Sequence, residues 1–119
     1  MSSPYALHVF SRPTAVTESL WQKWYEQEHL PDMVHSGASK RAAFYRSKGA
    51  TDPQKKFMAV YQTDFKECLD TDNYRNDVRS TSEMFEDNKK GCREYGAFDP
   101  RYYELIQTYD PNNRGEGMY

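Results

Sequence analysis

The sequence WQKWYEQEHLPD, residues 21–32, concentrates two indoles, a phenol, an imidazole and several carboxylates. Residues three and four apart share a helix face, so Trp21, Tyr25 and His29 are predicted to form one stripe. Pro31 cannot donate a backbone hydrogen bond and disfavours helical geometry in the residue before it. We therefore expect a helix that ends near His29, with Asp32 on the turn that follows.

Segments rich in aromatic and aliphatic residues surround this helix and predict four strands. The predicted strands are residues 5–10, 38–48, 55–63 and 101–110. A helical periodicity runs through residues 65–90, with Gly91 just past its end. The order strand, helix, strand, strand, helix, strand predicts an α+β, ferredoxin-like βαββαβ fold with a four-stranded antiparallel sheet.

The predicted strands carry apolar side chains on both faces. In residues 5–10, alternation places Leu7 and Val9 on one face and Ala6 and Phe10 on the other. Two helices on one side of a sheet leave its other side bare. We therefore expect the bare face to pack against the same face of a second chain, which predicts a homodimer.

Composition limits the classes of function. The 119 residues predict one domain, 1–119, and the formal charge of −2 with intermixed acids and bases argues against nucleic acid or an anionic membrane as partner. No stretch approaches the roughly 20 apolar residues of a membrane span, so a soluble cytoplasmic protein is expected. Cys68 and Cys92 lack metal-site spacing and are interpreted as reduced, structural thiols, and no metal is expected.

The helix ending in EHLPD, the first strand YALHVFSRP, the segment ASKRAAFYRSKG and the segment FDPRYYELIQTYDP together resemble the EthD-like family of the dimeric α+β barrel superfamily, particularly its short fungal members. The resemblance covers nearly the whole chain. It implies a homodimer whose two sheets form a barrel, with a pocket between sheet and helices in each subunit. It also implies a cofactor-free enzyme, or an accessory protein, acting on polyketide or aromatic substrates by decarboxylation, cyclisation or isomerisation. Haem-binding relatives use a histidine on the second helix, and residues 65–90 contain none.

Four residues are candidate catalytic groups. His29 is the leading candidate because an imidazole near its ordinary pKa of about 6.5 can accept a proton from a carbon acid and return it elsewhere. Asp32 would orient it or act as a second acid or base. The resemblance adds His8 and Tyr61, as counterparts of a pocket histidine and tyrosine in plant polyketide cyclases. Each has a structural alternative: a helix C-terminus for His29, a turn for Asp32, a core strand for His8, and a strand tyrosine at a sheet edge for Tyr61.

The candidate substrate contacts are aromatic, and core packing is the alternative for each of them. They are Trp21, Trp24, Tyr25, Phe10, Tyr103 and Phe85. The leading hypothesis is a cofactor-independent enzyme of secondary metabolism that binds a hydrophobic or aromatic small molecule. The alternatives are a non-catalytic carrier for such a metabolite and a cofactor-free oxygenase. Nucleotide use, serine hydrolysis and zinc chemistry lack their sequence motifs.

Overall fold

A computed structural model describes residues 3–49 and 51–112. Its strands are β1 (Tyr5–Pro13), β2 (Arg41–Arg46), β3 (Phe57–Thr63) and β4 (Gly96–Glu104), and its α-helices are α1 (Glu18–Trp24), α2 (Leu30–His35) and α3 (Asp72–Asp77). A π-helical turn, Tyr25–His29, joins α1 to α2, and short 3-10 turns lie at Pro53–Lys55, Cys68–Asp70 and Cys92–Glu94.

The four strands form one antiparallel sheet in the order β2-β3-β1-β4. The predicted α+β class with a four-stranded antiparallel sheet is confirmed, and the strand order is compatible with a ferredoxin-like fold. The predicted ends of the strands differ from the observed ends by up to several residues. The last strand is displaced most, since β4 starts before residue 101 and ends at Glu104. Pro100 is tolerated within β4 because β4 is an edge strand that pairs only with β1.

Alternation along the strands divides the sheet into two faces. Leu7, Val9 and Ser11 of β1 are buried on the face that packs against the helices, as are Phe57 and Tyr61 of β3. We call the opposite surface the open face. It is formed by Ala6, His8, Phe10, Arg12, Arg41, Ala43, Tyr45, Met58, Val60, Gln62, Ala97, Asp99, Arg101 and Tyr103.

The prediction that the first helix ends near His29 is wrong. Thr17 caps α1 by accepting a hydrogen bond from the Leu20 backbone N–H, and helical backbone then continues to His35. The chain passes Pro31 because Tyr25–His29 is a π-helical turn, in which the Leu30 N–H donates to the Tyr25 carbonyl five residues earlier. A π-helical turn contains one more residue than a regular α-helical turn. Such turns are a recognised cause of interruptions in α-helices and often mark functional sites.

The predicted helix over residues 65–90 is also wrong for most of its length, since only Asp72–Asp77 is α-helical there. The hydroxyl and carboxylate side chains of the segment bond nearby backbone N–H groups instead. Ser82 accepts from Met84 and Asp87 accepts from Lys89. This local competition is why such residues disfavour helix interiors, and Gly91 therefore does not follow a helix.

Trp21 centres the core. Its indole N–H donates to the buried Ser11 hydroxyl at 3.2 Å, and its ring lies so close to Gly96 that a Cβ there would meet the indole at 2.2 Å. Trp21, Trp24, Tyr25 and Phe85 are all at most 2% exposed. Among the residues the structure describes, no helix has the length and apolar character that crossing a bilayer requires.

Candidate functional site

A cavity of about 290 Å³ lies between the helix-facing side of the sheet and the helical run. This volume is near the lower end of the range of about 300–1,000 Å³ typical of small-molecule sites. Most of the cavity wall is apolar, with a small number of polar side chains. The lining residues are Leu7, Val9, His29, Met33, Tyr61, Leu69, Tyr74, Cys92, Arg93, Gly96, Phe98 and Pro100.

His29 and Tyr61 both line this cavity, and their ring centroids are 6.4 Å apart with the planes at 88°. His29 reaches it from the π turn and Tyr61 from the central strand β3. His29 Nδ1 and the Tyr61 hydroxyl are buried, and neither has a hydrogen-bond partner within the described residues. Since buried polar atoms are nearly always satisfied in folded proteins, two such atoms at one cavity indicate a place for a polar ligand group or water.

Aromatic rings enclose His29. Its imidazole stacks on Trp24 at 4.7 Å and meets the edge of Tyr25 at 5.3 Å. Burial lowers the pKa of His29 to about 4, because the charged form loses hydration, and the nearby Asp32 charge offsets this only in part. The sequence-based expectation of an ordinary histidine pKa is therefore wrong. His29 is a neutral imidazole at physiological pH.

Tyr61 has the complementary property. Burial raises its pKa well above the ordinary value for a phenol, because the phenolate would be stripped of water, and the neighbouring Tyr25 acts in the same direction. The hydroxyl therefore stays protonated and can donate a hydrogen bond. The cavity thus presents a neutral acceptor-bearing ring and a neutral phenol donor in a mainly apolar surrounding.

Asp32 is occupied by Arg79 rather than by His29. Its two carboxylate oxygens accept from Arg79 Nε at 2.9 Å and from the terminal guanidinium nitrogen at 3.0 Å, and one also accepts from the Arg79 backbone N–H at 3.2 Å. Partial burial would raise the pKa of Asp32, but these bonds and the Arg79 charge outweigh it and hold the pKa below its ordinary value. Asp32 acts on His29 through its charge, with no hydrogen bond between them.

Glu28 belongs to the same ion-pair cluster. Its carboxylate lies 3.6 Å from an Arg79 terminal nitrogen and accepts from the Ser82 hydroxyl at 2.9 Å. Its side chain is only 16% exposed, so Glu28 is not a solvated helix acid. Arg79 therefore ties the irregular segment after α3 to the π turn and α2.

The structure separates three predicted site residues from this cavity. His8, Phe10 and Tyr103 lie on the open face, where the His8 and Tyr103 rings contact each other at 4.9 Å. The reason is register: Leu7 and Val9 face the cavity, so the alternating residues of β1 face away from it. His8, Phe10 and Tyr103 therefore do not share the cavity that His29 lines, and a catalytic role for His8 and ligand contacts by Phe10 and Tyr103 stay predictions.

The remaining predicted substrate contacts are core residues. Trp21, Trp24 and Tyr25 pack on one another, and Phe85 stacks on Tyr95 at 4.6 Å, behind the cavity wall rather than in it. Trp24 takes part in the site indirectly because it forms the stacking surface for His29. None of these four side chains lines this cavity, and their contact with a ligand stays a prediction.

Several lining residues were not identified from the sequence. Met33 lies on the part of the helix that was predicted to be a turn, and Gly96 and Phe98 precede the predicted start of the last strand. A strand placed at residues 96–104 would have located the last two by alternation. Arg93 carried no usable signal, because it reaches the cavity from a short 3-10 turn. Tyr74 reaches the cavity from α3, within the segment where a helical periodicity was predicted.

Metal-ligating side chains are dispersed in the described part of the chain, where no group of three or more His, Cys, Asp or Glu residues is placed to hold an ion. Both cysteines are buried free thiols, and burial raises the pKa of each. Their interpretation as structural residues agrees with this environment.

The fold and the cavity were compared with known proteins at the levels of family, sequence and structure. No protein-family model, no curated protein sequence and no solved structure matched the chain. The resemblance to the EthD-like family therefore stays a prediction from the residues alone.

Proposed function

We propose that the protein is a cofactor-independent enzyme that transfers a proton on a small aromatic or polyketide-like substrate in this cavity. The observation that carries the proposal is the pair of buried, unpartnered polar atoms, His29 Nδ1 and the Tyr61 hydroxyl, at one mainly apolar cavity. Perturbed titratable groups facing a cavity are a physical signature of catalytic sites.

The chemistry follows from the protonation states. A neutral His29 accepts the proton of a carbon acid next to a carbonyl group, and the Tyr61 hydroxyl donates a hydrogen bond to the oxygen on which negative charge develops. The apolar walls strengthen that hydrogen bond because water does not compete for it. Enolisation of this kind is the shared step of ring-forming aldol reactions and lactone isomerisation, and carbanion stabilisation serves decarboxylation in the same way.

The proposal includes a homodimer. Tyr45 and Tyr103 on the open face are 46% and 49% exposed, and the half-buried Met58 lies between them on β3, next to Val60, which is already buried within the chain. Pairing of two open faces would remove this apolar surface from water. Light scattering should then give twice the chain mass, and Tyr103→Asp should give the monomer mass. A wild-type monomer at all concentrations would contradict this part of the proposal.

A cytoplasmic location is also part of the proposal. The support for it is that Cys68 and Cys92 are free thiols, as reducing compartments keep them.

The test uses 2-tetralone, a bicyclic aromatic ketone, and follows exchange of its α-protons for deuterium by NMR. The wild-type protein should accelerate exchange, and His29→Gln should lower the enzymatic rate by about 100-fold or more. Tyr61→Phe should lower it about 100-fold through loss of the oxyanion donor. The exposed residues His35 and Tyr45 supply the controls, and His35→Gln and Tyr45→Phe should keep the full rate. A folded His29→Gln variant with the wild-type rate would remove the proposed role.

A non-catalytic carrier is the second candidate, and the predominantly apolar lining of the cavity favours it. A carrier would bind 2-tetralone, with shifts of the His29 and Tyr61 resonances, and leave the exchange rate at that of buffer. The same experiment therefore separates the two functions.

A further inference from the structure

One cation faces the cavity, and nothing in the proton-transfer proposal uses it. Arg93 lies in the short 3-10 turn Cys92–Glu94 just before β4 and lines the cavity while remaining solvent-exposed. An exposed residue that also lines a cavity lies where the cavity meets solvent. Arg93 therefore lies at the mouth, while His29 and Tyr61 present buried atoms deeper inside.

Arg93 has no acidic partner among residues 3–49 and 51–112. Three other arginines in those ranges, Arg75, Arg79 and Arg101, bind aspartate or glutamate within 4 Å. Of the described residues that line the cavity, Arg93 alone is charged at neutral pH, since no carboxylate lies on the wall and His29 is neutral. The Arg93 charge acts instead on two neutral neighbours on that wall, Tyr74 and Cys92.

An unpaired guanidinium beside an apolar cavity favours an anionic ligand group. The planar guanidinium donates two parallel hydrogen bonds to a carboxylate, and these charge-assisted bonds are about twice as strong as neutral ones. A doubly charged phosphate ester would leave net negative charge at a site with one cation. A single carboxylate is balanced by Arg93 alone.

We propose that the ligand of this cavity is an aromatic or polyketide-like carboxylic acid, with its carboxylate bound by Arg93 and a keto or hydroxyl oxygen placed at Tyr61 and His29. This inference rests on the proposed function and names its substrate class. Arg93 holds the carboxylate at the mouth of the cavity. The ring then lies in the apolar part, and the end that carries the keto or hydroxyl oxygen points towards Tyr61 and His29.

The test compares 6-hydroxy-2-naphthoic acid, whose hydroxyl lies at the opposite end of the ring system from its carboxylate, with its neutral amide, 6-hydroxy-2-naphthamide, by isothermal titration calorimetry at neutral pH. The wild-type protein should bind the acid about tenfold more tightly than the amide, as expected for one charge-assisted hydrogen-bonded pair. Arg93→Gln should weaken acid binding about tenfold and leave amide binding unchanged. Arg93→Lys should keep part of the preference, because it keeps the charge and loses the planar geometry.

Lys89 supplies the matched control, since it is an exposed cation nearby in the sequence that does not line the cavity. Lys89→Gln should keep the full acid preference, which excludes a general effect of net charge. Equal binding of acid and amide by the wild-type protein, an acid preference that survives Arg93→Gln, or binding of neither compound would overturn the inference. The proposed function is tested separately by the exchange of 2-tetralone protons, which does not depend on Arg93.

Discussion

The imidazole of His29 stacks on the indole of Trp24, with ring centroids 4.7 Å apart and the planes inclined by 18°. These residues are five apart in the sequence, and in a regular α-helix of 3.6 residues per turn they would be separated by about 140° around the axis. The π turn Tyr25–His29 has more residues per turn and brings them to one side. The widened turn thus places the candidate base at the cavity.

Replacing Trp24, on which His29 stacks, should change the pKa of His29 and leave the protein folded. Trp24 is 2% exposed, so Trp24→Phe should lower the free energy of unfolding by about 1–3 kcal/mol, because the smaller ring leaves a void in the core that the neighbouring side chains fill only in part. The pKa of His29 should rise as water gains access to the ring. NMR titration of the imidazole and denaturant unfolding measure the two effects. An unchanged His29 titration in a folded variant would contradict the role assigned to Trp24.

Gly96 should tolerate no side chain. A Cβ there would lie 2.2 Å from Trp21 Cη2 and 2.8 Å from the Arg12 carbonyl oxygen, and the backbone atom cannot move aside cheaply. Gly96→Ala should therefore lower the free energy of unfolding by about 3 kcal/mol. At Gly49 a Cβ would meet no atom within 4 Å, so Gly49→Ala should change the free energy of unfolding by less than about 1 kcal/mol. Equal stability of the two variants in urea would contradict the close approach of Trp21.

The lowered pKa of His29 predicts a loss of stability in mild acid. The unfolded chain takes up a proton near pH 6.5, whereas the folded chain does so only near pH 4. Stability is therefore fully present above about pH 6.5 and falls as the pH drops towards 4, by at most about 3 kcal/mol. Urea unfolding from pH 7 to 4 measures this, and His29→Gln should reduce the slope. His35→Gln removes an exposed histidine from the same helix and should leave the slope intact.

Removal of Arg79 should cost stability and raise the pKa of His29. Arg79 binds two acids whose side chains are only 15% and 16% exposed, Asp32 and Glu28, so Arg79→Ala leaves both carboxylates largely desolvated without their partner. We expect a loss of about 1–3 kcal/mol. The uncompensated Asp32 charge should then favour protonation of His29.

The control for this prediction is Arg75, which pairs with Asp70 and Asp72 at the surface, where the acids are 77% and 84% exposed. Arg75→Ala should cost less than about 1 kcal/mol. If Arg75→Ala destabilised the protein as much as Arg79→Ala, partial burial would not explain the effect.

Local patterns in the sequence were sufficient for the class of fold. Apolar alternation gave the existence of all four strands. His29 and Tyr61 were identified as candidates before their positions were known, and the structure brings them to one cavity. Their chemistry depends on residue type, which the sequence displays directly.

Tertiary structure decided which candidates share a site and in what state. Register placed His8 and Tyr103 on the open face, because a shift of one residue reverses the side of the sheet that a strand residue occupies. The continuation of the helix past Pro31 depended on a π turn stabilised by packing. The sequence alone determined the four strands and the aromatic, acid/base character of the first helix, since both arise from neighbouring residues. Burial of His29, and with it a pKa of about 4, required the assembled core, because desolvation is a property of what packs around a group.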